Sequence, residues 1–143
     1  MRTIKRALLF LFVAPAVIAF AQTEPDTDLD YAVVRFVTAT ETAANIWRFD
    51  VSVEHNDEGW DHYADAWQVL RPESLELLGE RILLHPHDNE QPFTRSQSGI
   101  EIPPGLLTVL VRARCTVHGF GSTVLVTLTG EGDRYEARPL RAD

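Results

Sequence analysis

The chain has 143 residues, with 13 Lys and Arg against 21 Asp and Glu, a formal charge of −8, and one cysteine. That length supports one domain with a real core. The acidity disfavours nucleic acid as a partner and suits a cation, while the lone cysteine excludes an internal disulfide.

The opening "MRTIKRALLFLFVAPAVIAFA" places Arg2, Lys5 and Arg6 before an apolar segment that closes on Ala19-Phe20-Ala21. This is the pattern of a cleaved secretory signal. Residues 1–21 are read as a signal peptide, residues 22–30 as an acidic leader, and residues 31–143 as a single domain, exported to the periplasm or secreted. The apolar part is short for a bilayer span, which needs about 20 residues, and Pro15 interrupts it. No cysteine follows the small residues, so no lipid anchor is expected, and no later segment is apolar for long enough to span a membrane. The signal peptide holds three of the 13 basic residues and none of the 21 acidic ones, leaving −11 on a remainder without lysine or methionine.

Beyond the leader the chain alternates in short segments: Tyr31–Thr40, Asn45–His55, Ala64–Leu70, Gly79–His85, Ser98–Ile102, Leu106–Val117 and Ser122–Leu128. Turn signals fall at Arg71-Pro72, Asp88-Asn89, Pro103-Pro104-Gly105 and Gly119-Phe120-Gly121. About seven such strands predict an all-β, antiparallel sandwich of the immunoglobulin or fibronectin type. Trp47, Phe49, Val51 and Val53 share one face, and Trp67 on the third strand is expected to fill the space between the sheets. "ESLELLGE" (Glu73–Glu80) is expected to form a helical turn.

All five histidines lie between His55 and His118, in three groups at predicted strand ends or loops. Loops gather at the ends of a sandwich, so the groups can converge. His85-Pro86-His87 is the first candidate ligand pair, because residues i and i+2 of an extended segment point the same way. Pro86 favours that extended conformation at His85. Ile82 and Leu84 are expected to face the core, with Arg81, Leu83, His85 and His87 on the other side. His62 and His118 are the candidates to complete the shell. Imidazole ligands without a thioether suit Cu(II) or Zn(II). The acids of "EHNDEGWDHYAD" (Glu54, Asp57, Glu58, Asp61 and Asp65) do not follow calcium-loop spacing, so they read as a solvated loop.

Cys115-Thr-Val-His118-Gly119 resembles two known metal loops. Cys-x-x-His is similar to the copper loop of the cupredoxins, although Gly121 stands where an axial methionine is expected. Cys-x-x-His-Gly resembles the iron-binding end of superoxide reductases, whose upstream motif His-Pro-x-x-x-Glu-His is absent. Alternation places Cys115 on a face with Val109, Val111, Ala113 and Val117 and reads it as a core residue. "WDHYAD", "LLHPHDNEQPFTRS" and "VHGFG" together resemble an uncharacterised family of small exported bacterial proteins, which implies no particular activity. The expectation is a metal-binding sandwich using His85, His87, His62 and His118, without catalysis. Its partners are a metal ion and, as a further candidate, another periplasmic protein. A redox protein using Cys115 and a metal-free interaction module are the alternatives.

Overall fold

A computed structural model describes residues 29–129 and 133–136; the expected signal peptide, its cleavage site and most of the acidic leader lie outside the described residues. Among the described residues, eight strands form two four-stranded antiparallel sheets. They are β1 (Val33–Ala43), β2 (Ile46–Glu54), β3 (Ala64–Leu70), β4 (Leu77–Ile82), β5 (Phe93–Glu101), β6 (Thr108–Cys115), β7 (Gly119–Thr127) and β8 (Asp133–Glu136). One sheet has the order β5-β2-β1-β8 and the other β4-β3-β6-β7. The all-β sandwich is thus as the alternating pattern predicts, with β8 as an added edge strand. Among the described residues no helix is long and apolar enough to cross a membrane.

Period-two alternation explains the core. Trp47, Phe49, Val51 and Val53 of β2 meet Trp67 and Val69 of β3 and Val109, Val111 and Ala113 of β6, all buried in one cluster. Complete burial of Trp67 and Phe49 contributes roughly 1.5–3 kcal/mol for a side chain of the size of Phe. Strict alternation back from Trp67 would have buried Asp65 and Tyr63. A register shift between Ala64 and Ala66 resolves the conflict. Ala64 joins the core, while Asp65 turns out to a bidentate pair with Arg114, both bonds at 2.9 Å.

Three local expectations are corrected. Glu73–Glu80 is not a helical turn: Leu75 has a positive φ of 59°, and Arg71 closes a strand-to-strand turn with Glu76, its N–H 2.9 Å from the Glu76 carbonyl. The turn before β7 falls at Thr116–His118, and Gly119 and Gly121 belong to the strand. Along β4 and its extension, Leu83 is buried whereas Ile82 and Leu84 are exposed. The inward side is therefore the one carrying Gly79, against Ile100 of β5, and it brings Arg81 and His87 toward the interior rather than toward solvent.

Candidate metal centre

The inward face of β2 does not stop at Val53. Two residues further on, His55 continues the same alternation and is 1% exposed. On the opposite sheet, β6 ends with Cys115, which continues Val109, Val111 and Ala113 inward and is likewise buried. The two sheets therefore bring an imidazole and a thiol together at one end of the core. The connection from β2 to β3 crosses between the sheets at this end and carries His62, and the β6–β7 turn carries His118.

Four potential ligand atoms converge there. His55 Nε2 lies 3.2 Å from His62 Nε2, and His62 Nε2 lies 3.2 Å from His118 Nδ1. Cys115 Sγ is 3.7 Å from His118 Nδ1, and the ligand atoms of His55, His62 and Cys115 all fall within 4.8 Å of one another. Ligands at ordinary Zn–N and Zn–S lengths around a tetrahedral ion are separated by about 3.3 Å (N to N) and about 3.6 Å (N to S). The three neighbouring contacts, at 3.2, 3.2 and 3.7 Å, are close to these values, and His55, His62 and Cys115 are near enough together to share one ion.

The outer partners fix which nitrogens face the cluster. His55 Nδ1 is 2.6 Å from Asp57 Oδ1, and His62 Nδ1 is 3.5 Å from Glu58 Oε2. The Asp57 carboxylate accepts, so His55 Nδ1 carries a proton, and the Nε2 atoms of His55 and His62 are the ones turned toward the cluster. Neighbouring nitrogens at these distances share either a proton, as in an N–H···N bond, or a metal ion. The backbone N–H of His118 donates to Cys115 Sγ at 3.2 Å, a contact that stabilises thiolate. The carbonyl of Asp30 accepts from the Cys115 thiol at 3.5 Å and lies 3.1 Å from His55 Nε2, so a bound metal would replace the thiol proton; the Tyr31 ring stands 5.1 Å from that of His118. His118 itself is exposed, so the cluster has one solvent-facing side.

Asp57 organises this end of the molecule. Its side chain is fully enclosed. Besides His55, it accepts the backbone N–H of Ala64 at 3.0 Å and that of His87 at 2.7 Å. Burial opposes its ionisation, but the bonds from His55, His87 and Ala64 outweigh burial and hold its pKa below the usual carboxylate value. The acidic loop is solvated at Glu58 and Asp61, whereas the Asp57 side chain is enclosed. Gln91 ties the same region together, accepting from the His55 N–H at 3.0 Å and donating to the His87 carbonyl at 3.2 Å.

Of the four histidines expected from the sequence, His62 and His118 stand in the cluster. His85 and His87 form a separate pair with ring centroids 4.5 Å apart. His85 is exposed, its Nδ1 donating to the Pro86 carbonyl at 2.9 Å, while His87 is buried and stacked on Phe93 at 3.7 Å. Cys115 is a core residue as alternation predicts, and it also faces the imidazoles. His55 and Asp57 were missed by the sequence reading. The signal for His55 lay in its parity with Trp47, Phe49, Val51 and Val53. Gly121, at the axial position of the cupredoxin-like loop, is fixed by packing: an added Cβ would lie 2.0 Å from the Ala32 carbonyl oxygen.

No protein-family model matches the chain, and no solved structure matches it. A protein of Halomicrobium mukohataei named "Putative lipoprotein" is 41% identical over 109 residues, covering 75% of this chain and 52% of the relative. The chain thus spans about half the length of the curated relative it matches.

Proposed function

We propose that this is an exported protein that binds one transition-metal ion through His55, His62, Cys115 and His118. The observation that carries the reading is the convergence of three imidazole nitrogens and one sulfur, linked by contacts of 3.2 to 3.7 Å, with Asp57 orienting the His55 ring from behind. Export is supported by the basic, apolar N-terminus and by the name of the relative. Cu(II) and Zn(II) both accept such ligands, and the thiolate adds iron to the set.

A redox role is the second reading, and the position of Cys115 favours it. Two upstream histidines, His55 and His62, meet the Cys-x-x-His-Gly turn in space. Their connection, "HNDEGWDH", is one residue longer than the His-Pro-x-x-x-Glu-His motif of superoxide reductases. With His118 exposed, a small solute has access to the cluster. Reduction of superoxide to hydrogen peroxide is accordingly the activity to assay.

Metal analysis of the purified exported protein tests the binding reading. One metal ion per chain is expected, with stoichiometry lost in His62→Ala and Cys115→Ala. Full metal content in both variants would overturn it. A visible thiolate-to-metal band that vanishes in Cys115→Ser separates a copper or iron centre from a zinc site, which is colourless.

A further inference from the structure

A second group of polar side chains lies on the reversed face of β4, apart from the cluster of His55, His62, Cys115 and His118. The edges of the two sheets, β4 and β5, leave a cavity of about 80 Å³ lined by Arg81, Ile82, Leu83, Leu84, His85, His87 and Arg95. Four of its seven lining residues are basic or imidazole side chains, and no carboxylate lines it. His87 is 4% exposed, and neither of its ring nitrogens has a hydrogen-bond partner. The Nε of Arg81 is also buried without a partner, and Arg81 forms no ion pair among the described residues. Buried donors of this kind are normally satisfied, so two of them on one cavity wall call for a partner from outside the chain, water or a ligand.

The charge decides the kind of ligand. Arginine stays cationic, so Arg81 and Arg95 repel a metal ion that His85 and His87 alone could have held. The nearby acids are engaged outside the cavity. Glu90 pairs with Arg95 at 3.1 Å, and Asp57 Oδ2 accepts the His87 backbone N–H and stays 3.9 Å from its ring. Burial first, then Arg95 and His85, hold the His87 pKa below the usual imidazole value against the opposing pull of Asp57 and Glu90. In a chain of net charge −8, a carboxylate-free, donor-lined cavity runs against the overall field.

We propose that this cavity binds a small oxyanion, held by the guanidinium groups of Arg81 and Arg95 and an N–H of His87. Guanidinium recognises planar and tetrahedral oxyanions through paired N–H bonds. The space takes a few water molecules or one such ion, and is too small for a nucleotide. This inference is independent of the metal reading, and its test uses the metal-free protein.

The test is titration calorimetry of the chelator-treated chain with inorganic phosphate, sulfate and acetate in low-chloride buffer. Saturable one-to-one binding of at least one of them is expected, weakened tenfold or more in Arg81→Gln and in His87→Phe, which keeps the stack on Phe93. The control Arg71→Gln, which removes an exposed arginine paired with Glu76, is expected to bind like the parent chain. Absence of saturable binding, or an equal loss in Arg71→Gln, would overturn the proposal. So would zinc binding that Arg81→Gln strengthens, which would mark a cation site. Should His87→Phe fail to fold, Arg81→Gln decides the question, because its partly exposed side chain is not part of the apolar core.

Discussion

Asp57→Asn is the most informative single substitution for the metal centre. The change keeps shape and removes charge. Asp57 accepts three N–H groups, from the His55 ring and Ala64 on Oδ1 and from His87 on Oδ2. An asparagine has only one acceptor oxygen. If that oxygen serves His55 and Ala64, its amide N–H faces the His87 N–H; if it flips, two donors lose their partner instead. One buried donor without a partner costs about 1–3 kcal/mol. With loss of charge assistance in the remaining bonds, the total reaches about 2–4 kcal/mol. Metal affinity is expected to fall about 10- to 100-fold, the usual cost of losing an outer partner of a ligating histidine, or about 1.4–2.7 kcal/mol. Denaturant unfolding of the metal-free protein measures the first quantity, and competition with a chelating dye measures the second. Parent-like metal affinity in a destabilised Asp57→Asn variant would refute the claim that Asp57 acts through His55.

Two further predictions concern the scaffold. Gly121→Ala places a Cβ 2.0 Å from the backbone oxygen of Ala32, which no rotamer change relieves, whereas Gly79→Ala meets only the Ile100 side chain, at 2.6 Å. Denaturant unfolding is expected to show a loss of about 3 kcal/mol or more for the first and about 1–3 kcal/mol for the second. The hydrogen bond from Arg48 outweighs burial and, with Ser96, holds the Asp50 pKa below the usual carboxylate value. A lowered folded-state pKa adds stability that is present above about pH 4 and is lost as pH falls through the folded pKa. The stability gap between the parent chain and Asp50→Asn is therefore expected to close on acidification, as read from paired unfolding curves.

The sandwich was legible because alternation marks buried faces directly. Trp47 to Val53 carry that signal without interruption, and Val111, Ala113 and Cys115 alternate with Arg112 and Arg114. The β4 segment does not: Ile82, Leu83 and Leu84 are consecutive, so parity can be read but not which parity faces inward. Choosing Ile82 and Leu84 turned His85 and His87 outward. The inward choice is made by Gly79 against Ile100, a contact between sheets that sequence pattern does not contain. The same limit hid Asp57. Its role comes from the backbone N–H groups of Ala64 and His87, which only the fold delivers. His62 and His118 were legible as candidates, and the parity of His55 and Cys115 was available. What alternation could not show is that the ends of β2 and β6 meet at the same end of the core.

X-ray absorption of the metal-loaded protein tests the central claim most directly, since it reads the atoms around the ion. The account predicts one sulfur at about 2.3 Å and imidazole nitrogens at about 2.0–2.1 Å, the ordinary lengths for zinc, with the sulfur contribution lost in Cys115→Ser. A first shell of nitrogen and oxygen without sulfur, unchanged in Cys115→Ser, would contradict it.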